Sequence, residues 1–95
     1  MIFDNKRSEL EIVAELLSLA LKETKKTRLM YQTNLCNSHF KDYMDFLLGK
    51  GFITIQNGNP NRYYVTTERG RELLSGIKSV LSLLKKEPTA FSHVS

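Results

Sequence analysis

Apolar residues recur at intervals of three and four positions over two long stretches of the chain, which is the spacing of an amphipathic helix. The first stretch predicts a helix from Ser8, a competent capping residue, to about Lys22. The second predicts a helix that ends near Lys86, and either Thr66 or Thr67 can cap its start.

A short helix is predicted between these two. Thr27 can cap it, and its helical residues run from 28 to about 33. Asn34 tolerates a left-handed conformation, so the helix is expected to end there.

A further helix begins at Cys36 or Asn37 and ends before Gly51, because glycine suits a left-handed stop. Its inward face is apolar, at spacing i, i+3, i+4, i+7: Phe40, Tyr43, Met44 and Leu47. Its opposite face is polar or small: Ser38, Lys41, Asp42, Asp45 and Gly49.

Two β-prone segments follow, residues 52–56 and 62–66, joined by a loop rich in asparagine and glycine. This pattern predicts a two-stranded hairpin. Its register stays open, because either of two pairs can face inward: Tyr63 with Val65, or Tyr64 with Thr66.

The order of helix, short helix, helix, hairpin and helix predicts an α+β fold, a winged helix with an additional C-terminal helix. Residues 8–66 are expected to form the winged-helix domain and residues 67–87 a dimerisation helix. Residues 1–7 are expected to be a flexible N-terminus and residues 88–95 a flexible tail.

Charge adds one indication of a partner. The chain has 95 residues, the length of one domain, and a net charge of +4 with a pI near 9.3. A basic balance favours a polyanionic partner, although many basic domains of this size bind no nucleic acid.

The sequence offers few residues that could carry out catalysis or bind a metal. Cys36 and His39 stand at i, i+3, but a zinc site needs three or four ligands, and no second pair is present. Cys36 is the only cysteine, which excludes an internal disulfide and fits a reducing cytoplasm. We therefore expect a cytoplasmic protein that is not an enzyme, with no cofactor, no metal, no membrane span and no evident small-molecule ligand.

Four segments together are similar to a known family. They are residues 26–31 (KTRLMY), the pair Asn34-Leu35, residues 43–53 with Tyr43, Met44, Leu47 and Gly51-Phe52-Ile53, and residues 67–74 (TERGRELL). In this order and spacing they resemble an archaeal winged-helix family. That family includes the small, dimeric 10a-type chromatin proteins and predicted transcriptional regulators.

The resemblance implies double-stranded DNA binding by a homodimer, as a transcriptional regulator or a minor, nucleoid-associated chromatin protein. In such proteins the third helix enters the major groove, the wing contacts the backbone or minor groove, and the last helices pair as an antiparallel coiled coil. An alternative stays open, a winged-helix module that binds proteins and not DNA. Asp42 and Asp45 favour it, because carboxylates repel phosphates.

The residues themselves indicate where DNA would bind. Donors and acceptors able to reach base edges lie near the start of the third helix: Asn37, Ser38, His39 and Lys41. Backbone contacts are expected from the connector before the second helix and from the wing: Lys25, Lys26, Arg28, Asn59 and Arg62. Each set could equally be a solvated surface.

The last helix carries more apolar residues than one face of a small domain needs to bury. We expect a dimer interface formed by this stripe: Leu73, Ile77, Val80, Leu81 and Leu84. The alternative is that the helix only packs back on the first helix.

Overall fold

The computed structural model describes residues 9–58 and 62–85. Its elements in chain order are α1 (Glu9–Leu19), α2 (Lys26–Thr33), α3 (Asn37–Gly49), β1 (Ile53–Asn57), β2 (Arg62–Thr66) and α4 (Glu68–Lys85). Four helices with a two-stranded antiparallel hairpin between α3 and α4 confirm the predicted α+β winged helix. The predicted cap Ser8 and the expected terminal segments lie outside the described residues.

The core lies where α1 packs against α2 and α4, and where α3 packs against β1. Its fully buried side chains come from four elements: Leu16, Leu17, Leu29, Leu47 and Ile53. α4 contributes Leu74 and Ile77 to the same core. The last helix is therefore part of the fold as well as a candidate interface.

The hairpin register places Tyr64 and Thr66 inward. Ile53 pairs with Thr66 and Ile55 with Tyr64, so these four side chains share the face that meets the core. Thr66 is buried, and its hydroxyl donates to the Leu17 carbonyl at 2.7 Å. This bond to α1 explains why a polar residue occupies an inward position.

α1 ends at Leu19, three residues before the predicted end at Lys22. The Thr66 amide donates to the Ala20 carbonyl at 2.7 Å, so the chain turns toward the hairpin there. The connector then pairs with β2: the Thr24 amide donates to the Tyr64 carbonyl at 3.2 Å, and the Tyr64 amide donates to the Thr24 carbonyl at 2.8 Å. These long-range bonds replace the last helical turn that periodicity predicts.

The predicted start of α2 is wrong by two residues. The capping position is Lys25, in extended conformation, and Thr27 lies inside the helix. The predicted end is confirmed, because Asn34 is left-handed at φ 58° and its amide donates to the Met30 carbonyl at 2.9 Å.

Gly51 at φ 78° confirms the predicted stop after α3. Phe52 belongs to the following turn and not to β1, because its amide donates to the Leu47 carbonyl and its carbonyl accepts from the Thr67 amide. Of the two predicted caps of α4, Thr67 is the one used. Its hydroxyl accepts from the Gly70 amide at 3.0 Å and donates to the Gly51 carbonyl at 2.6 Å.

Candidate nucleic-acid interface

Three of the predicted backbone-binding cations meet in one cleft. Lys25 and Lys26 at the start of α2 face Arg62 at the start of β2, across a space of about 360 Å³ that Thr27 and Tyr64 also line. We call this the basic cleft. The paired bonds between Thr24 and Tyr64 hold its two walls together. Residues 36 positions apart in sequence thus present their positive charges on one surface.

The N-terminus of α2 opens at the basic cleft. Among the described residues no side chain caps this helix, and its capping residue Lys25 has an extended backbone (φ −89°, ψ 156°). The first amide groups of a helix lack intrahelical acceptors and carry partial positive charge. They therefore add to the attraction that the lysines exert on an anion.

The basic cleft adjoins α3. The Lys26 ammonium nitrogen lies 6.0 Å from the centre of the Phe40 ring, and Phe40 is buried in the first turn of α3. The ring thus faces the Lys26 cation, at the outer limit of a cation–π contact, on the side where α2 meets α3. A duplex that touches the basic cleft is therefore brought beside the exposed start of α3.

All four predicted reading residues are exposed on α3: Asn37, Ser38, His39 and Lys41. Lys41 forms an i, i+4 ion pair with Asp45 at 2.8 Å. The hydrogen bond to that carboxylate, and its charge, raise the pKa of Lys41. The pair offsets one of the two acidic charges on this face, but it also occupies the lysine that was predicted to reach DNA.

Cys36 is the capping residue of α3, and its exposed thiol lies 3.5 Å from the Ser38 hydroxyl. The pKa of the thiol is lowered, first by this hydrogen bond and then by the His39 amide. A thiolate is favoured by donors of this kind at a helix start. Asn37 and Ser38 lie inside the helix.

The other predicted DNA contacts are more scattered. Arg28 is exposed on α2 but does not line the basic cleft. Asn59 lies outside the described residues. Tyr31, two thirds of the way along α2, is 82% exposed and was not predicted as a site residue. Its position on the outward face of a short helix is the signal that could have identified it, since tyrosine hydroxyls commonly contact phosphate.

His39 and Asp42 also border a second feature, an open groove between α1, α3 and α4. The groove has a volume of about 750 Å³, and most of the residues that line it are apolar. They include Leu10, Val13, Tyr43, Phe46, Leu73 and Ile77. Phe46 at its edge packs against Phe52 with ring centres 6.0 Å apart, and the Arg69 guanidinium lies 5.3 Å from the Phe52 ring. We call this the apolar groove.

The predicted dimer stripe of α4 divides between two environments. Ile77 is buried against the protein's own core, and Leu73 and Leu81 are half-buried. Val80, Leu83 and Leu84 are 44%, 65% and 45% exposed. Leu73, Val80 and Leu84 follow i, i+7, i+11 spacing and so lie along one line of the helix surface. We call these three residues the α4 seam.

Two other kinds of site are absent from the described part of the chain, residues 9–58 and 62–85. No group of three or more histidine, cysteine, aspartate or glutamate residues there could hold a metal ion. No helix in the same residues has the length and apolar character required to cross a membrane.

Comparisons with known proteins concern nearly the whole chain. A family profile described as winged helix-turn-helix matches residues 6–85. The uncharacterized protein MJ0287 of Methanocaldococcus jannaschii is 34% identical over 84 residues, which are 87% of this chain and 82% of that protein. MJ0290 of the same organism, also uncharacterized, is 36% identical over 80 residues, and there the match spans only 36% of the relative's length.

A solved structure shares the fold. The crystal structure of Sso10a-2, a DNA-binding protein from Sulfolobus solfataricus, matches with a TM-score of 0.79 over 93% of each chain. Sequence identity is 24%.

Proposed function

This chain belongs to the winged helix-turn-helix family, as its motifs indicated, and we propose that it binds double-stranded DNA as a homodimer. The observation that carries the proposal is the basic cleft. Lys25, Lys26 and Arg62 converge there from two elements, beside an uncapped helix start. A site of this composition suits the phosphate of a nucleic-acid backbone, because several positive groups act on one anion.

The geometry supports α3 as the element that enters the major groove. Its exposed start lies beside the basic cleft, so a phosphate held in the cleft brings base edges toward Asn37 and Ser38. Amide and hydroxyl groups can pair with several bases, and the Lys41–Asp45 ion pair removes the cation best suited to guanine. We therefore expect strong backbone binding with modest sequence preference.

The α4 seam supports the homodimer. An antiparallel pair of α4 helices with its twofold axis between Lys78 and Ser79 places Leu73 opposite Leu84 of the second copy. A surface that is complementary to itself about a twofold axis is the requirement for a closed dimer. The dimer presents two basic clefts and two α3 helices to DNA, as a transcriptional regulator or a minor chromatin protein.

A matched pair of arginine substitutions tests the proposal. Arg62→Ala removes one cation from the basic cleft, while Arg71→Ala removes the same charge from the exposed surface of α4. Binding to a random-sequence duplex is measured for both across a salt series. Arg62→Ala should reduce the slope of log K against log salt by about 0.9 per subunit, and Arg71→Ala should leave it unchanged. Equal effects of the two substitutions would contradict a phosphate site in the basic cleft.

One observation favours the alternative, a protein-binding module. The apolar groove is open, and its rim carries Glu9 and Asp42, which do not suit a phosphate backbone. If this groove were the main functional surface, neither arginine substitution would change DNA binding measurably. A partner would then be sought with apolar side chains.

A further inference from the structure

We propose that the apolar groove is a socket for the distal half of α4 from a second copy of this chain. Val80, Leu83 and Leu84 of each copy would enter the groove of the other. This inference rests on the homodimer proposed above and adds to it contacts of α4 with α1 and α3 of the second copy.

The groove offers apolar surface that its own chain leaves open. Leu10 at one edge is 40% exposed and Phe46 at the other is 47% exposed. Val13, Leu73 and Ile77 form part of the floor between them. The groove therefore has an apolar floor and edges against which an apolar side chain could pack.

The distal half of α4 offers the complementary element. Val80, Leu83 and Leu84 are 44%, 65% and 45% exposed, so the last turns of α4 present apolar side chains that the described part of the protein covers only in part. These three residues lie at i, i+3, i+4, the spacing with which a helix inserts one face into a groove. Burying them contributes roughly 25 cal/mol for each Å² removed from water.

The twofold arrangement of the α4 seam brings these two surfaces together. Leu73 belongs to the seam and also lines the groove. When Leu73 meets Leu84 of the second copy, the last turns of that copy's helix lie along the groove wall formed by Leu73 and Ile77. The apolar surface is therefore continuous from the seam into the groove.

The size of the interface also favours the groove as part of the contact. A specific, stable dimer buries roughly 800 Å² per partner. The α4 seam supplies only three side chains from each copy. Including the groove adds the surfaces of α1 and α3, and the helix of the second copy then contacts three elements.

This contact would link dimerisation to DNA reading. His39 and Asp42 lie on α3 and also border the groove. A helix docked there packs directly against α3, so it restrains the helix that carries the reading residues. Loss of the groove contact should weaken DNA binding even though no DNA contact has been removed.

A pair of leucine substitutions tests the groove separately from α4. Leu10→Asp changes the edge of the groove, and it places an acid in the first turn of α1, where acids suit the helix dipole. Leu21→Asp is the control, since Leu21 is 42% exposed, lies just after α1 and does not line the groove. Val80→Asp reports on the dimer itself. Mass is measured by sedimentation equilibrium, with circular dichroism and thermal melting to verify folding.

Wild type and Leu21→Asp are expected at twice the 10.9 kDa chain. Leu10→Asp and Val80→Asp should each weaken the dimer by about 100-fold or more, because every dimer carries two desolvated charges. If Leu10→Asp proves unfolded, Phe46→Ser, at an exposed edge position, replaces it. A dimer that Val80→Asp dissociates and the folded groove variant leaves intact overturns the socket but retains the homodimer. A wild-type monomer overturns both.

Discussion

Gly70→Ala is the substitution whose effect on the free energy of unfolding the structure defines most clearly. A Cβ atom at Gly70 would lie 2.0 Å from the Phe52 carbonyl oxygen and 2.7 Å from Cγ2 of Thr66. The start of α4 and the turn after α3 must then separate by at least about 1 Å. The Phe52 carbonyl also accepts from the Thr67 amide at 3.0 Å, so the movement strains the bond that joins these two elements.

The favourable and unfavourable contributions of Gly70→Ala to the free energy of unfolding can be compared directly. Within a helix, alanine is more stabilising than glycine by up to about 1 kcal/mol. Overpacking costs roughly 1–3 kcal/mol or more, and a weakened hydrogen bond adds about 1 kcal/mol. We expect a net loss of about 2–3 kcal/mol, because the clash is with backbone atoms that cannot rotate away. For a chain of this size that corresponds to a melting temperature lower by roughly 10–20 °C.

The assay is urea and thermal unfolding monitored by circular dichroism, with Gly49→Ala as the control. Gly49 is exposed at the end of α3, and a Cβ there meets nothing within 4 Å. That substitution should be neutral or stabilise the protein by up to about 1 kcal/mol. If Gly70→Ala were as stable as wild type, the close packing of α4 on the Phe52 turn would be refuted.

Three further outcomes follow from individual contacts. Thr66→Val should destabilise the protein by about 1–3 kcal/mol in urea unfolding, because the buried Leu17 carbonyl loses its donor, whereas Thr66→Ser should retain most of the stability. Asp45→Asn should tighten duplex binding and steepen its salt slope by up to about 0.9, because Lys41 is released from the ion pair; weaker binding would contradict this. The rate at which Cys36 reacts with iodoacetamide should rise at a lower pH than in the unfolded chain, since the pKa of its thiol is lowered. Ser38→Ala should move this pH profile upward. An unshifted profile in that variant would exclude the Ser38 hydrogen bond as the cause of the lowered pKa.

Local backbone chemistry was readable from the sequence. Asn34 and Gly51 adopt the left-handed conformations that their residue types favour, and helix periodicity identified α1, α3 and α4. These features depend on residues within a turn or two of one another. The motifs of the family, which combine such signals, were therefore sufficient to predict the winged helix.

Features that depend on contacts between residues far apart in the chain could not be predicted from the sequence. The hairpin register stayed open because residues 63–66 are β-prone on both faces, and hydrogen bonds from Thr66 to α1 decide it. The end of α1 and the walls of the basic cleft both depend on the pairing of Thr24 with Tyr64. Nothing in the local sequence around Thr24, a run of charged residues, indicates that it pairs with a strand.

The apolar face of α4 shows a related difficulty. Periodicity identifies a broad stripe, but it cannot divide the stripe between the protein's own core and an outer surface. The structure assigns Leu74 and Ile77 to the core and leaves Val80 and Leu84 exposed. The apolar groove was equally hidden, because its lining comes from four separate segments of the chain.

The central claim is that the predicted backbone-binding cations hold the phosphates of a DNA backbone. The most direct test of this claim is the salt dependence of binding to a random-sequence duplex. Four exposed cations per subunit are available: Lys25, Lys26, Arg28 and Arg62. At about 0.9 per neutralised phosphate, log K should fall with log salt at a slope of roughly −3.6 per subunit, or about −7 when both subunits of a dimer bind. Fluorescence anisotropy of a labelled duplex gives this slope. The account predicts binding at low salt with a slope in this range, and absence of binding at low salt would contradict it.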